Sequence, residues 1–237
     1  MNRGIVISDL HLFSVRSVGE QRLASIRDDL AAADVIVLNG DTFDFRWSHF
    51  RDEEKTVKAA LDWLRRFAAA YPQATIHFIC GNHDCLDPFT KGLDDLAAAC
   101  PTLSWHETHL QLGSHLFVHG DCAHRKMDAA GLGRFREVFK RERPRAAWLS
   151  QGYRVVDRLG ITWAAHRAHF RPRGTLKRLT WHLDRAVPTW KEATAHCYFG
   201  HTHLAFRDRL HEGISFHNTG CAIAGARFAP VHFEIED

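Results

Sequence analysis

Short apolar runs alternate along this chain with longer stretches in which apolar residues recur every three to four positions. The runs 3–8, 34–39 and 75–80 have β-branched or apolar centres, are too brief for helices, and read as buried strands. Between them, 18–33 puts Leu23, Ile26 and Leu30 on one stripe, and 51–70 puts Val57, Leu61, Leu64 and Phe67 on another. Both patterns predict amphipathic helices, the second ended by Tyr71-Pro72. Strand, helix and strand in alternation predict a layered α/β architecture. A short helix is expected over 91–100, then strands over 106–112 and 114–118 joined near Gly113. Strands resume over 195–199, and 206–210, 214–218 and 230–235 read as antiparallel, hairpin-connected closing strands. No internal repeat or flexible linker interrupts the series.

Residues 123–192 differ in kind. Leu132, Phe135, Val138 and Phe139 form one helical stripe, Leu149, Tyr153, Val156, Leu159 and Trp163 a second, and Leu176, Leu179 and Leu183 a third. We read this segment as a helical insertion, or lid, within a single domain spanning 1–237. Charge separates it further: residues 124–185 hold 16 Lys and Arg against 5 Asp and Glu, whereas the remainder holds 15 against 23. Such a basic face suits an anionic bilayer surface or a phosphate-rich ligand, the plain alternative being solvated helix surface. The tryptophans there, Trp148, Trp163 and Trp181, mostly fall on apolar stripes, which argues against base-stacking platforms.

Length and composition narrow the class. A chain of 237 residues, 45% hydrophobic and 25% charged, is an ordinary globular protein able to bury a sizeable core, which sets aside disordered and collagen-like classes. Its six cysteines include no Cys-x-x-Cys pair, so buried free thiols in a reducing compartment are expected. No apolar run approaches the roughly 20 residues of a bilayer span. With the first strand starting near Arg3, the expected location is cytoplasmic.

The candidate chemistry stands immediately after the strands. Asp9 and His11 follow the first, and two residues apart they share a face if the chain stays extended. Gly40 turns the second strand into Asp41 and Asp44, and Gly81 turns the third into Asn82 and His83. His119 follows the strand 114–118, and Gly200 leads into His201 and His203. Five strand ends carrying such residues at one edge of a sheet point to one shared site. Carboxylates, imidazoles and an amide oxygen suit borderline-hard divalent ions, with Mn2+ first among Mn2+, Zn2+, Fe2+ and Ni2+. Seven donors are too many for one tetrahedral ion and suit two ions, about 3.5–4 Å apart, sharing a carboxylate. Asp41, from a central strand, is the natural bridge. His106, His109, His115 and His124 read as ordinary histidines.

In order and spacing, Asp9-x-His11, Gly40-Asp41-x-x-Asp44, Gly81-Asn82-His83-Asp84, His119 and Gly200-His201-x-His203 resemble the motif series of the calcineurin-like metallophosphoesterases. The resemblance implies an α/β/β/α sandwich with a dinuclear centre. Carried over by position, one ion is held by Asp9, His11, Asp41 and His203, and the other by Asp41, Asn82, His119 and His201. Two such cations draw in phosphate oxygens and acidify a water so that hydroxide attacks in line. His83 is placed to contact phosphate or protonate the leaving oxygen, with Asp44 fixing its tautomer.

More closely, the His-Gly-Asp form at His119 and the long basic helical segment before Gly200 are similar to the UDP-2,3-diacylglucosamine pyrophosphatases. In that family a helical lid takes up acyl chains, which implies a lipid-bearing or nucleotide-sugar diphosphate substrate and contact with the inner membrane face. Arg173, Lys177 and Arg178 are then expected at a lipid or substrate phosphate. The chain departs from that family at His83, where arginine is typical, and at Asp44, where glutamate is. This pair has the form found in general phosphoesterases. Phosphomonoester or nucleotide phosphodiester hydrolysis is therefore the alternative, followed by a nuclease; a non-catalytic scaffold would be expected to have lost ligands, and none of the seven is missing.

Overall fold

The computed structural model describes residues 1–141 and 167–236. Two mixed five-stranded sheets lie face to face with helices outside them, a four-layer α/β/β/α arrangement. The first sheet has the order β10-β1-β2-β3-β4, from β1 (Asn2–Ile7), β2 (Val35–Asn39), β3 (Thr75–Ile79), β4 (Leu103–His106) and β10 (Val231–Ile235). Strands β1 to β4 run parallel, and β10 pairs antiparallel with β1. The second sheet has the order β5-β6-β7-β9-β8, from β5 (His109–Leu112), β6 (His115–Val118), β7 (His196–Phe199), β8 (Phe206–His211) and β9 (Ile214–Asn218).

Burial explains the apolar runs. Every residue of β2 is buried, because Ile36 and Leu38 face the helices while Val35 and Val37 face the other sheet. The inter-sheet core joins Val6, Val37, Ile79, Val231 and Phe233 of the first sheet to Phe117 and Tyr198 of the second. Helices α1 (Gly19–Ser25), α2 (Arg27–Ala32), α3 (Glu53–Ala70) and α4 (Asp87–Ala99) cover the first sheet. Leu132 of α5 (Ala129–Lys140) and Leu176, Leu179 and Leu183 of α6 (Pro172–Ala186) pack on the second, and the short α7 (Trp190–Ala193) adds Trp190.

The departures from expectation have local causes. The helix expected over 18–33 breaks at Ile26, where the Ser25 hydroxyl donates to the Arg22 carbonyl at 2.7 Å and competes with the helical ladder. Helix α4 starts at Asp87, four residues before expectation, because Pro88 sits in its first turn, where a missing N–H is harmless. The strand expected over 106–112 is two strands: the chain leaves the first sheet after His106 and enters the second at His109. Of the closing strands, β8 and β9 form the antiparallel hairpin, but β10 returns to the first sheet. Val138 is 56% exposed rather than inward, one position out of phase with Phe135 and Phe139. The stripe from Leu149 to Trp163, with Trp148, lies outside the described residues. Among the described residues, no helix is long and apolar enough to cross a membrane.

Candidate metal centre

The candidate ligands gather at the C-terminal strand ends, but from two facing sheets rather than one edge. Asp9 and His11 follow β1, Asp41 follows β2 and Asn82 follows β3, while His119 follows β6 and His201 and His203 follow β7. The first two loops are zipped together by backbone bonds from Asp9 N–H to the Gly40 carbonyl and from His11 N–H to the Asp41 carbonyl, at 3.0 and 2.9 Å. The chain there is not extended. Asp9 and His11 have φ of 54° and 47°, as Ser14 N–H closes a turn onto the His11 carbonyl.

The same left-handed backbone recurs at Asp41, His201 and His203, with φ of 50°, 60° and 57°. Each such residue costs on the order of 1 kcal/mol, and clusters of them are characteristic of functional sites. At Gly40, φ is +82° and a Cβ would overlap the ring of His119, so the residue needs both the conformation and the empty space. At Gly200 a Cβ would overlap the Asp9 carboxylate.

Among the described residues, three overlapping groups of donors result: Asp9, His11 and His203; His11, Asp41 and His83; and Asp41, His119 and His201. The His203 Nε2 lies 3.2 Å from both Asp9 Oδ1 and His11 Nε2. His119 Nδ1 donates to the Asn39 carbonyl at 3.2 Å, so its Nε2 presents a lone pair 3.2 Å from Asp41 Oδ2. Two electron-rich atoms held that close call for a proton or a cation between them. Among the described residues, the buried Asn82 Oδ1 has no hydrogen-bond partner. An orphaned amide oxygen, neutral imidazole nitrogens and buried carboxylates fit divalent cations well.

The electrostatics agree. Burial, with His83 and His203 nearby, lowers the His11 pKa to about 4, and burial beside His119 depresses His201 well below its ordinary value. Both are therefore neutral and ligand-competent. Burial opposes protonation of His119 too, but the Asp41 carboxylate outweighs it and raises the pKa to about 10. Without a cation, protons on such histidines balance the carboxylates.

His83 stands beside this cluster. Its backbone N–H donates to Asp41 Oδ1 at 2.8 Å, and its Nδ1 lies 3.2 Å from Asp44 Oδ1, which also accepts from Trp47 N–H. The Asp44 contact leaves His83 Nε2 as the nitrogen free for chemistry. Asp84, the last residue of the Gly81-Asn82-His83-Asp84 motif, has a role that the strand-end pattern does not mark. Its carboxylate accepts from Gly81, Thr42 and Phe43 N–H at 2.6, 2.7 and 3.3 Å, tying the Asn82 turn to the Asp41 turn.

A cavity of about 220 Å3 opens over the centre, walled by Phe135, Phe139, Phe170 and His124. His124, read from sequence as ordinary, stacks on Phe135 and brings Nδ1 to 3.4 Å from His201 Nε2. No strand-end signal marked it, because it follows the 3-10 turn Asp121–Ala123. Arg173 and Lys177 are exposed on α6, and Arg178 donates to the carbonyls of Ala123 and His169; none of the three lines this cavity. A larger cavity, about 930 Å3, lies at the opposite strand ends beside Gly4, His115 and His196 and contains none of the candidate ligands.

The chain is similar to a dimetal phosphatase from Danio rerio, at 12% identity and a TM-score of 0.50, over 100% of this chain and 93% of that one. It is also similar to the phosphopantetheinyl hydrolase PptH from Mycobacterium tuberculosis, at 13% identity and a TM-score of 0.41, over 92% and 89% of the two chains. No curated protein matches it by sequence. Residues 3–205 match the calcineurin-like phosphoesterase family, and the chain, a phosphoester hydrolase, belongs to that family.

Proposed function

We propose that this protein hydrolyses phosphoester or diphosphate bonds at a dinuclear centre, with Asp9, His11, Asp41 and His203 around one cation and Asp41, Asn82, His119 and His201 around the other. The observation carrying this reading is the buried convergence of these donors, with His119 Nε2 facing Asp41 Oδ2 and Asn82 Oδ1 unpaired. When bound there, two divalent cations supply positive charge for the phosphoryl oxygens and acidify the attacking water. Mn2+ suits the mixed oxygen and nitrogen donors.

The chain's own groups supply the rest. His83 Nε2 donates a proton to the leaving oxygen as its bond to phosphorus breaks, while Asp44 holds the ring by Nδ1. Phe135, Phe139 and Phe170 exclude water and receive the apolar part of a substrate. The aromatic wall favours an ester or diphosphate with an apolar group, such as a UDP-diacylglucosamine-type lipid. The His83–Asp44 pair favours a general phosphomonoesterase or nucleotide phosphodiesterase, because it equips the site for a poor leaving group. Arg173 and Lys177, exposed on α6, suit a bilayer or substrate phosphate.

The test is hydrolysis by chelator-treated, Mn2+-reconstituted protein of UDP-2,3-diacylglucosamine, nucleoside diphosphates, cyclic nucleotides, aryl phosphates and single-stranded DNA. Metal-dependent turnover of the first supports the lipid reading, and turnover confined to simple esters selects the second. No activity with any divalent ion refutes the dinuclear hydrolase.

A further inference from the structure

One buried charge outside the ligand set bonds to segments of both sheets behind the centre. Arg136, on α5, is 4% exposed, and its guanidinium is used in three directions. Its Nε donates to Asp121 Oδ2 at 2.7 Å and its Nη2 to Asp121 Oδ1 at 3.2 Å. Nη2 also donates to the Cys80 carbonyl at 2.9 Å, and Nη1 to the Glu107 carbonyl at 2.6 Å. Cys80 immediately precedes the Gly81-Asn82 turn of the first sheet. Asp121 stands two residues after His119 in the second, and Glu107 lies where the chain crosses between the sheets.

The planar fork of arginine makes this geometry possible. Its donors are fixed relative to one another, so acceptors in separate segments are held at a set spacing, which a lysine ammonium cannot reproduce. Burial disfavours the charge, but Asp121 keeps the guanidinium ionised. A residue serving stability alone needs no such arrangement, since buried ion pairs are commonly replaceable by apolar packing at little cost. Here the acceptors include the backbone one step from the Asn82 turn and the carboxylate two residues after His119.

We propose that Arg136 is a positioning residue for the Asn82–His119 half of the metal centre, clamping the Cys80 carbonyl to the Asp121 carboxylate and so fixing the separation of two ligands from different sheets. This rests on the reading that Asn82 and His119 hold one cation. Coulomb's law alone makes the opposite prediction: removing a positive charge near a cation site tightens binding.

The test is calorimetric titration of metal-free wild-type, Arg136→Lys and Arg136→Met proteins with Mn2+, with thermal unfolding of each. We expect wild type to take up two ions. In both variants one site should weaken about 10–100-fold, as for lost supports of metal ligands, while the other stays within about twofold. Arg136→Lys keeps the charge and carries the measurement if Arg136→Met does not fold. Two sites of wild-type affinity in Arg136→Lys, equal weakening of both, or tighter binding in Arg136→Met overturns the proposal. Fewer than two ions bound by wild type overturns the dinuclear reading itself, a result distinct from the others.

Discussion

Replacing His83 by alanine separates proton delivery from metal binding. The ring is no part of the proposed ligand set, and its Nδ1 is engaged by Asp44 Oδ1 at 3.2 Å, so what the substitution removes is a proton donor at Nε2. Burial works against the charged ring, but Asp44 and then Asp41 raise its pKa to about 9. Cations at Asp41 would cancel the part of that rise due to Asp41, which leaves the Asp44 contact as the interaction that favours the protonated ring. A positioned general acid contributes about 10^2–10^4 in rate, or ~2.7–5.4 kcal/mol, and only where the leaving oxygen needs a proton. For alkyl phosphoesters, His83→Ala should lower kcat by that factor. For dinitrophenyl esters, whose leaving group departs as an anion, the loss should stay below about tenfold. The assay is kcat and kcat/KM at saturating Mn2+ across a series of leaving groups, with bound metal counted in each preparation. Asp44→Asn, which removes the charge that supports the imidazolium, should shift the high-pH loss of activity to lower pH, because the active form is the protonated one. Equal losses for good and poor leaving groups, or loss of an ion from His83→Ala, would refute the acid role.

Three further outcomes are expected. Gly40→Ala forces an L-residue into φ of +82° and pushes its Cβ against the His119 ring. At roughly 1–2 kcal/mol for the backbone alone and ~2–4 °C per kcal/mol, Tm should fall by at least several degrees and Mn2+ binding should weaken; unchanged values would show that the loop yields freely. Since His119 is held protonated up to about pH 10 by Asp41, and His203 is also raised, metal must displace protons, so Mn2+ affinity should climb with pH through neutrality. Calorimetry in buffers of different ionisation heat should detect about two protons released per protein at pH 7, and none would contradict the proton-balanced centre. Phe139, 5.4 Å from the His83 ring, borders the cavity, so Phe139→Ala should raise KM about 2–10-fold for esters with apolar groups and leave the smallest phosphoesters unaffected. Equal effects on both would remove it from substrate contact.

Strand ends were the legible part of the sequence. The layered α/β architecture followed from the apolar runs, because buried parallel strands must be continuously apolar, and the four-layer sandwich from the resemblance that the motifs at the strand ends carry. The two-sheet origin of the site was hidden because Glu107-Thr108 gives no strong break signal between two alternating strands. The curled backbone at Asp9 and His11 was equally hidden, since beside the local turn at Ser14 the bonds that hold it come from Gly40 and Asp41, some thirty residues away. Asp84, Arg136 and His124 act through partners far away in sequence, and His124 carries no strand-end mark at all.

The division of the ligands between two sheets has a mechanical consequence. In the proposed assignment each ion takes donors from both: Asp9, His11 and Asp41 with His203, and Asp41 and Asn82 with His119 and His201. The ions would thus be rivets through the sandwich, with Asp41 gripped by both. Pulling the sheets apart would mean breaking coordination bonds as well as parting the Val37, Ile79, Phe117 and Tyr198 interface. Chelation would then loosen the molecule along that seam first, and slow exchange of the β2 and β7 amides would depend on metal even though both strands are fully formed by their own hydrogen bonds.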